Sequence, residues 1–302
     1  MRSPPDGWRK FWFEPEPTST LALVRIAFGV VMVGWTIGLL PVLFPMFGAQ
    51  GVLPRQPAIG HGTWGLLGVF TGNAAVVALF ALTLATSVCL AVGYRTRLAA
   101  IVVFLGLLSF ERRNPYAFDS GDALLRIIAL YLALSGAGAS LSLDRLRCAR
   151  ERFWEFPLLA RWPVRLLQVQ LSLVYLFTVW AKARGTSWND GTAVSYALRV
   201  KDVNRFPVPD AISTSVLASN VMTYGTLAIE LGLAVLVWNR RARPWVLGAG
   251  VLLHLAISYS IRIGFFTLGM FVLYLAFVPN ETATRLILSV RDRVRPKRTA
   301  VA

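Results

Sequence analysis

Long apolar runs separated by short polar segments dominate the pattern of this chain. A helix that crosses a bilayer needs roughly 17 to 25 residues, and six runs are that long: 21–44, 73–94, 122–141, 163–183, 216–238 and 243–263. Two shorter runs, at 98–110 and 264–278, predict further crossings or half-membrane helices packed against their neighbours. The pattern therefore predicts an all-α, polytopic membrane helical bundle of about eight transmembrane helices, with seven and nine as alternatives.

The basic residues predict how this bundle is oriented. With eight spans, most Lys and Arg fall in the N-terminal segment, the even-numbered loops and the tail, which the positive-inside rule assigns to the cytoplasm. Both termini are then cytoplasmic. We expect one membrane domain over residues 1–302, made of a cytoplasmic N-terminal segment (1–20), the helical bundle (21–278) and a basic cytoplasmic tail (279–302).

Composition agrees with this class of protein. Hydrophobic residues make up 56% of the chain and charged residues 15%, whereas globular domains are about half apolar and a quarter charged. The net charge of +16 is typical of loops that face anionic lipid, so we expect a lipid bilayer and no nucleic acid as partner. The predominance of arginine over lysine indicates a GC-rich bacterial genome and hence a multi-pass protein of the bacterial cytoplasmic membrane.

Candidate chemistry is confined to ionisable groups at membrane depth. The chain contains no Walker loop, no GxGxxG after a strand, no HExxH and no GxSxG. The two cysteines have no CxxC spacing, so no metal site is predicted. Charged groups inside a membrane are tolerated when they pair or line a cavity, and the candidates are Arg25, Arg126, Lys182, Glu230 and His254.

Each of these groups has a structural interpretation beside a functional one. Arg25 lies near the start of its run and could snorkel to the inner headgroups. Glu230, in the middle of its run, is expected either to be protonated or to pair with a cation such as Arg25 or Arg126, in a structural or a catalytic role. Asp122 and Arg126 are four residues apart on one helix face, which favours a local ion pair.

His254 and Lys182 leave the same choice open, whereas His61 does not. His254 is centred in an apolar run, where a histidine more often bonds to a neighbouring helix than to a metal. His61, among turn-forming glycines, is predicted to be structural. Lys182 is one of only four lysines and closes a span. A buried amine can lose its proton, which a guanidinium does not, so Lys182 predicts a general base, with a span-end anchor as the alternative.

The predicted topology collects several polar residues at the outer face. The outside loops at 111–121 and 184–215 are rich in polar and aromatic residues, and the second is long enough to fold over the bundle as a lid. We therefore predict one shared outward site with six members: Asp122, Arg126, Lys182, Trp188, Asn189 and Asp190.

Three stretches of this sequence resemble the HTTM family, the transmembrane domain shared with vitamin K-dependent gamma-carboxylases. The first is RIAFG at residues 25–29, and the second is residues 113–145, with a Gly-Asp helix entry and a Ser-Leu-Asp exit. The third, residues 169–199, is the most specific, because Lys182, Trp188 and Gly191 recur at that spacing. The resemblance covers most of residues 15–280.

The resemblance implies a membrane-embedded site where an active-site lysine starts the reaction of vitamin K hydroquinone with dioxygen, with reduced vitamin K or menaquinone as cofactor. The carboxylase pattern has two adjacent lysines and uses the second, whereas here the pair is Lys182-Ala183. It also has a histidine at the position of Asp122, and a large substrate-binding domain that has no counterpart in these 302 residues. These departures favour a cavity for an isoprenoid quinone or similar lipid without protein gamma-carboxylation.

Two functions from different classes follow. The first is a quinol- or lipid-dependent enzyme, a gamma-carboxylase-like lyase or oxygenase, with Lys182 and Asp122 as catalytic residues and Arg126 and the outer-face residues around the substrate. The second is a non-enzymatic transporter, or a maturation or immunity factor for an exported peptide, in which Glu230, Arg25 and His254 form a gate or ion-pair switch. A purely structural scaffold is the third alternative.

Overall fold

The computed structural model describes residues 6–54 and 65–294. These residues are almost entirely helical, which confirms the predicted all-α class. Sixteen α-helices occur in the described residues: α1 (Asp6–Phe13), α2 (Ser19–Gly38), α3 (Leu43–Phe47), α4 (Leu66–Val69), α5 (Asn73–Val92), α6 (Thr96–Arg113), α7 (Ser120–Leu134), α8 (Leu143–Cys148), α9 (Trp162–Lys182), α10 (Thr186–Asn189), α11 (Ala193–Arg199), α12 (Asp210–Ser213), α13 (Val216–Val235), α14 (Arg243–Ser260), α15 (Phe266–Leu275) and α16 (Asn280–Val294).

Short elements connect these helices. Two strands, β1 (Pro15–Pro17) and β2 (Leu158–Ala160), pair antiparallel with Pro15 opposite Ala160. Five 3₁₀ helices lie between the α-helices of the described residues: Leu40–Val42, Pro115–Ala117, Ala137–Ala139, Arg150–Arg152 and Leu236–Trp238.

The chain folds into two compact units. Unit 1 comprises Met1–Leu166 and Val278–Ala302, and unit 2 comprises Leu167–Phe277. The boundary falls near the start of α9, so most of that helix belongs to unit 2. The two units are described separately below.

Unit 1 is built on four consecutive long helices. Helix α2 packs against α5, α5 against α6, and α6 against α7, while the amphipathic helix α16 also packs on α2. The contacting faces are apolar and buried, as for Phe28, Leu90 and Leu125, each of which has no exposed surface. Helix α5 ends at Gly93, whose φ of +73° is the left-handed conformation that glycine adopts at helix C-termini.

Helix α7 of unit 1 begins with a capping box. The Asp119 side chain accepts a hydrogen bond from the Gly121 backbone N–H at 2.6 Å, and Asp122 accepts one from the Asp119 backbone N–H at 2.9 Å. These bonds satisfy backbone donors that the first turn of a helix leaves without partners. The Gly-Asp entry of the sequence thereby fixes where α7 starts.

Unit 2 is built on α9 and α11 to α15. Helix α13 packs against α14 and α11, and α14 packs against α15. The hydroxyl of Ser215 caps the N-terminus of α13 by accepting from the Ala218 backbone N–H. Toward the other end, Trp238 donates to the Ser172 hydroxyl at 2.8 Å, which links the end of α13 to α9.

Four helical segments of the described residues are long and apolar enough to cross a membrane. They are Ser19–Phe47, Asn73–Val92, Trp162–Lys182 and Val216–Trp238. The bent pair Phe266–Leu275 and Asn280–Arg293 would make a fifth if counted as one span. The protein is therefore a membrane protein with four to five candidate spans.

The remaining predicted runs are also helical, but they are not among those four. The runs at 98–110, 122–141 and 243–263 correspond to α6, α7 and α14. Helix α7 has only 15 residues, and α6 ends with Glu111, Arg112 and Arg113. The prediction of about eight spans with cytoplasmic termini stays a prediction.

Candidate functional site

The centre of the candidate site in unit 2 is an ion pair between α9 and α13. Lys182 Nζ donates a hydrogen bond to Glu230 Oε1, and the two side chains form a salt bridge. The Glu230 side chain is 8% exposed and that of Lys182 is 22% exposed. The prediction that Glu230 pairs with a cation is confirmed, although the cation is Lys182 and not Arg25 or Arg126, the two examples named.

Trp188 covers the amine from the side of the following turn. Lys182 Nζ lies 4.6 Å from the centroid of the Trp188 ring, a cation–π contact. The turn itself is held by Asn189, which donates to the Ala183 carbonyl at 3.2 Å and accepts at its own backbone carbonyl from the Tyr224 hydroxyl at 2.7 Å. Asp190 is exposed at the C-terminal end of α10.

A second polar group of unit 2 is centred on His254 in α14. The Tyr175 hydroxyl shares a hydrogen bond of 2.8 Å with His254 Nε2 and another of 2.5 Å with the Tyr274 hydroxyl. His254 is 2% exposed and Tyr175 is also 2% exposed. The prediction that His254 bonds to a neighbouring helix is confirmed, since Tyr175 belongs to α9.

The two groups belong to one electrostatic neighbourhood. Lys182 acts electrostatically on His254, and Glu230 acts on both Tyr175 and Tyr274. Tyr175 and Lys182 are seven residues apart on α9, which places them on the same helix face two turns apart. Helices α9, α13, α14 and α15 thus each contribute at least one polar side chain to the interior of unit 2.

Two buried polar atoms of this neighbourhood lack partners among the described residues. Glu230 Oε2 and His254 Nδ1 are almost completely buried and make no hydrogen bond with the described residues. Buried polar groups are normally hydrogen-bonded, because an unmade bond costs about 1–3 kcal/mol. Both atoms therefore have hydrogen-bonding capacity that the described residues do not use.

Asp122 and Arg126, the other predicted outer-face residues, belong to unit 1 and do not pair with each other. Arg126 forms a salt bridge with Glu111 of α6, and Asp122 accepts a hydrogen bond of 2.6 Å from Trp35 Nε1 as well as capping α7. The expected local pair is wrong because each residue has a nearer partner on another element or in the cap. A site shared between these residues and Lys182 stays a prediction.

Arg25 is fully buried and does not snorkel. Its guanidinium donates to the backbone carbonyls of Leu90 at 3.3 Å and Leu141 at 2.6 Å, and its side chain has no exposed surface. A Cβ at Gly93 would collide with this guanidinium and with Ser142. The predicted snorkelling is wrong, because Arg25 joins the end of α5 to the segment that follows α7.

Asp144 completes this junction, which we call the Arg25–Asp144 node: Arg25, Gly93, Thr96, Leu141, Ser142 and Asp144. Asp144 accepts from the backbone N–H groups of Arg95 at 2.7 Å and Thr96 at 2.8 Å, at the start of α6. Burial alone would raise the pKa of Asp144, but these hydrogen bonds outweigh it, so the pKa lies below its ordinary value of 3.8. The Ser-Leu-Asp segment of the sequence is a structural cap.

Sequence reasoning missed four residues of these sites: Tyr175, Tyr274, Glu111 and Asp144. The tyrosines interrupt otherwise apolar runs, and a hydroxyl at membrane depth is a signal for a hydrogen-bonding partner. The described residues contain no group of three or more His, Cys, Asp or Glu that could hold a metal ion. His61 lies outside the described residues.

Comparison with protein families identifies a domain that covers most of the chain. The sequence model of the HTTM domain matches residues 13–281, a range that contains every predicted site residue. No curated protein and no solved structure shows a significant match to the chain. The match therefore rests on the sequence pattern of the domain as a whole.

Proposed function

Because the chain belongs to the HTTM family, we propose that this membrane protein carries an acid–base site in unit 2 that acts on a quinol or another lipid-soluble, hydroxyl-bearing substrate. The pair of Lys182 and Glu230, held between two candidate membrane spans, is the observation that supports this proposal. We place the site in a bundle of about eight spans with both termini in the cytoplasm of a bacterium.

Lys182 is the base in this proposal. The amine and the carboxylate share one exchangeable proton, and apolar surroundings reduce the advantage of the charged form of the pair. Transfer of that proton from Nζ to Oε1 leaves a neutral amine beside a carboxylic acid. The amine lone pair then takes the proton of a substrate hydroxyl, which leaves a substrate oxyanion opposite the ammonium.

The residues present fit a quinol. Glu230 Oε2 and His254 Nδ1 are buried atoms that lack a partner among the described residues, and a hydroxyl supplies one. A reduced vitamin K or menaquinone, when bound, brings a hydroxyl whose deprotonation starts its reaction with dioxygen. Ala183, where the carboxylases have their second lysine, is exposed and supplies no base. Protein gamma-carboxylation is therefore not part of the proposal.

The test separates a base from a positive charge. Purified protein is incubated with reduced menaquinone and air, and quinone epoxide is measured by mass spectrometry. We expect epoxide from the wild type and from Lys201→Arg, an exposed lysine of the same unit, and none from Lys182→Arg or Lys182→Ala, since a guanidinium does not act as a base at neutral pH. Epoxide from Lys182→Arg at the wild-type rate would contradict the proposal.

One observation favours a second function. Glu230 is 6% exposed in the C-terminal half of α13, and ionisable residues that pair inside membrane helices are found along the substrate and ion pathways of transporters. In a transporter or a maturation or immunity factor for an exported peptide, Glu230→Gln would abolish export or immunity, whereas the exposed Glu281→Gln would not. A wild-type protein that folds but forms no epoxide, together with that phenotype, would favour this second function.

A further inference from the structure

His254 combines burial with an unused hydrogen-bonding atom. We propose that His254 Nδ1 is a ligand-binding atom, which takes the hydroxyl of a phenol or quinol within the surrounding aromatic rings, and that Tyr175 positions it. The proposal rests on the proposed function, because it assigns a second contact to the same lipid-soluble substrate. Tyr175 is a positioning residue here, since it acts through the imidazole.

The surroundings of the imidazole suit an aromatic ligand. The ring centroid of His254 lies 5.6 Å from that of Phe266, 6.1 Å from those of Phe271 and Tyr274, and 6.3 Å from that of Tyr175. These separations are within the range in which aromatic rings attract each other in tilted or edge-on arrangements. The rings make the environment apolar, so that a hydrogen bond to Nδ1 is stronger than it would be in water.

The hydrogen-bond chain leaves Nδ1 incomplete in both possible tautomers. If Nε2–H donates to Tyr175, Nδ1 is a bare acceptor, and if Tyr175 donates to Nε2, Nδ1–H is a donor without an acceptor. A hydroxyl can donate and accept, so it satisfies either form, whereas a carbonyl or an ammonium satisfies only one. A hydroxyl therefore suits Nδ1 in either tautomer, and the surrounding aromatic rings favour one that is carried on an apolar body.

The absence of a side chain at Gly250 leaves room for the hydrogen bonds that link Tyr274, Tyr175 and His254. A Cβ at Gly250 would lie 2.5 Å from the Tyr274 hydroxyl and 2.8 Å from Leu233 Cδ1. Because Tyr274 holds Tyr175 through a 2.5 Å hydrogen bond, displacement of the Tyr274 hydroxyl would change the contact between Tyr175 and His254. Gly250 therefore helps indirectly to keep the hydrogen bond between Tyr175 and the His254 imidazole.

The composition of the chain allows a direct spectroscopic test. The chain has two histidines, so His61→Gln leaves His254 as the only imidazole. We would label this variant with ¹⁵N-histidine, purify it without a polyhistidine tag and record the two imidazole nitrogen resonances in micelles. The probes are 4-hexylphenol and hexylbenzene, which differ only in the hydroxyl.

We expect 4-hexylphenol to shift the Nδ1 resonance with a saturable dependence and hexylbenzene to leave it unchanged. Tyr175→Phe should alter the tautomer ratio of the free protein and weaken the binding of 4-hexylphenol roughly 2- to 10-fold, the effect of one hydrogen bond. Tyr259→Phe, on an exposed tyrosine of the same helix as His254, should do neither. Equal shifts with both probes, or no shift with either, would overturn the inference.

The two proposals fail in different ways. Binding of 4-hexylphenol at His254 in a protein that forms no quinone epoxide would overturn the proposed function and keep the site. Epoxide formation by a protein whose His254 resonances do not respond to 4-hexylphenol would overturn the site and keep the function.

Discussion

Each unit holds a cation in a candidate membrane helix, fully buried for Arg25 and partly buried for Lys182, but the partners differ in kind. In unit 1, Arg25 donates to two backbone carbonyls, and Asp144 of the same node accepts from backbone N–H groups. In unit 2, Lys182 pairs with the side chain of Glu230, and His254 with the side chain of Tyr175. A backbone partner cannot change its protonation state, whereas every member of the unit 2 pairs can exchange a proton.

The kind of partner distinguishes a structural charge from a reactive one. A guanidinium bound to backbone carbonyls ties chain segments together, because arginine presents a rigid fork of donors and stays charged. A lysine bound to a carboxylate is a pair of titratable groups in an apolar environment, which is the arrangement that functional sites use. Both residues belong to motifs that carry the family resemblance, so the motif alone does not distinguish structure from chemistry.

The substitution with the greatest predicted loss of stability removes Arg25 from the Arg25–Asp144 node. Arg25→Leu removes two hydrogen bonds from a charged donor, to the carbonyls of Leu90 and Leu141, and at about 1.5–3 kcal/mol for each we expect a loss of roughly 3–6 kcal/mol of stability. Thermal unfolding in detergent, followed by circular dichroism, measures it. Arg97→Leu, on an exposed arginine of the same unit, is the control and should change stability little. Similar losses of stability for both variants would show that the hydrogen bonds of Arg25 to Leu90 and Leu141 are not the cause.

A smaller effect is expected for the unit 2 pair, and it should be reversible by a second substitution. Lys182→Met leaves Glu230 buried without its cation, which we expect to cost about 1–3 kcal/mol, less than for a fully buried pair because Lys182 is 22% exposed. Lys182→Met combined with Glu230→Leu should recover most of that stability while remaining inactive. A double-mutant cycle on unfolding free energies measures the coupling. If the stability losses of Lys182→Met and Glu230→Leu simply add in the double variant, the two side chains do not interact and the ion pair is contradicted.

Substitutions of one glycine in each unit should affect different properties, stability in unit 1 and the His254 tautomer in unit 2. Gly93→Ala places a side chain at a φ of +73° and against Arg25 and Ser142, so we expect a loss of about 1–2 kcal/mol of stability. Gly250→Ala should act mainly on the Tyr274 hydroxyl, and therefore on the tautomer ratio of His254. Unfolding temperature and the ¹⁵N spectrum of each variant check this division. A Gly93→Ala variant as stable as the wild type would contradict the close approach of Gly93 to Arg25 and Ser142.

The smallest expected effect is the pH dependence of the node. The pKa of folded Asp144 lies below 3.8, so its stabilising contribution is present above about pH 4 and is lost as the pH falls through the folded pKa. Wild-type protein should therefore lose more stability between pH 5 and pH 3 than Asp144→Asn does, as thermal melts at each pH would show. Asp202→Asn, on an exposed aspartate, should retain the wild-type dependence.

The sequence predicted local structure better than partners. The runs at 73–94, 163–183 and 216–238 agree closely with Asn73–Val92, Trp162–Lys182 and Val216–Trp238, because apolar length is a local property. The sequence did not identify the partners of Arg25, Arg126 and Glu230, because they come from elements 15 to 116 residues away in the chain. For Glu230 and His254 the expected kind of partner, a cation and a neighbouring helix, was correct, but the residue was not named.

The burial of Arg25 has a consequence for biogenesis. One of its acceptors, the carbonyl of Leu141, is synthesised 116 residues after it. An arginine in a helix that enters the bilayer alone costs roughly 2.5–3.5 kcal/mol on insertion scales. The guanidinium in α2 therefore lacks its full set of partners until the segment after α7 emerges from the ribosome, and its final integration is coupled to the synthesis of nearly half the chain.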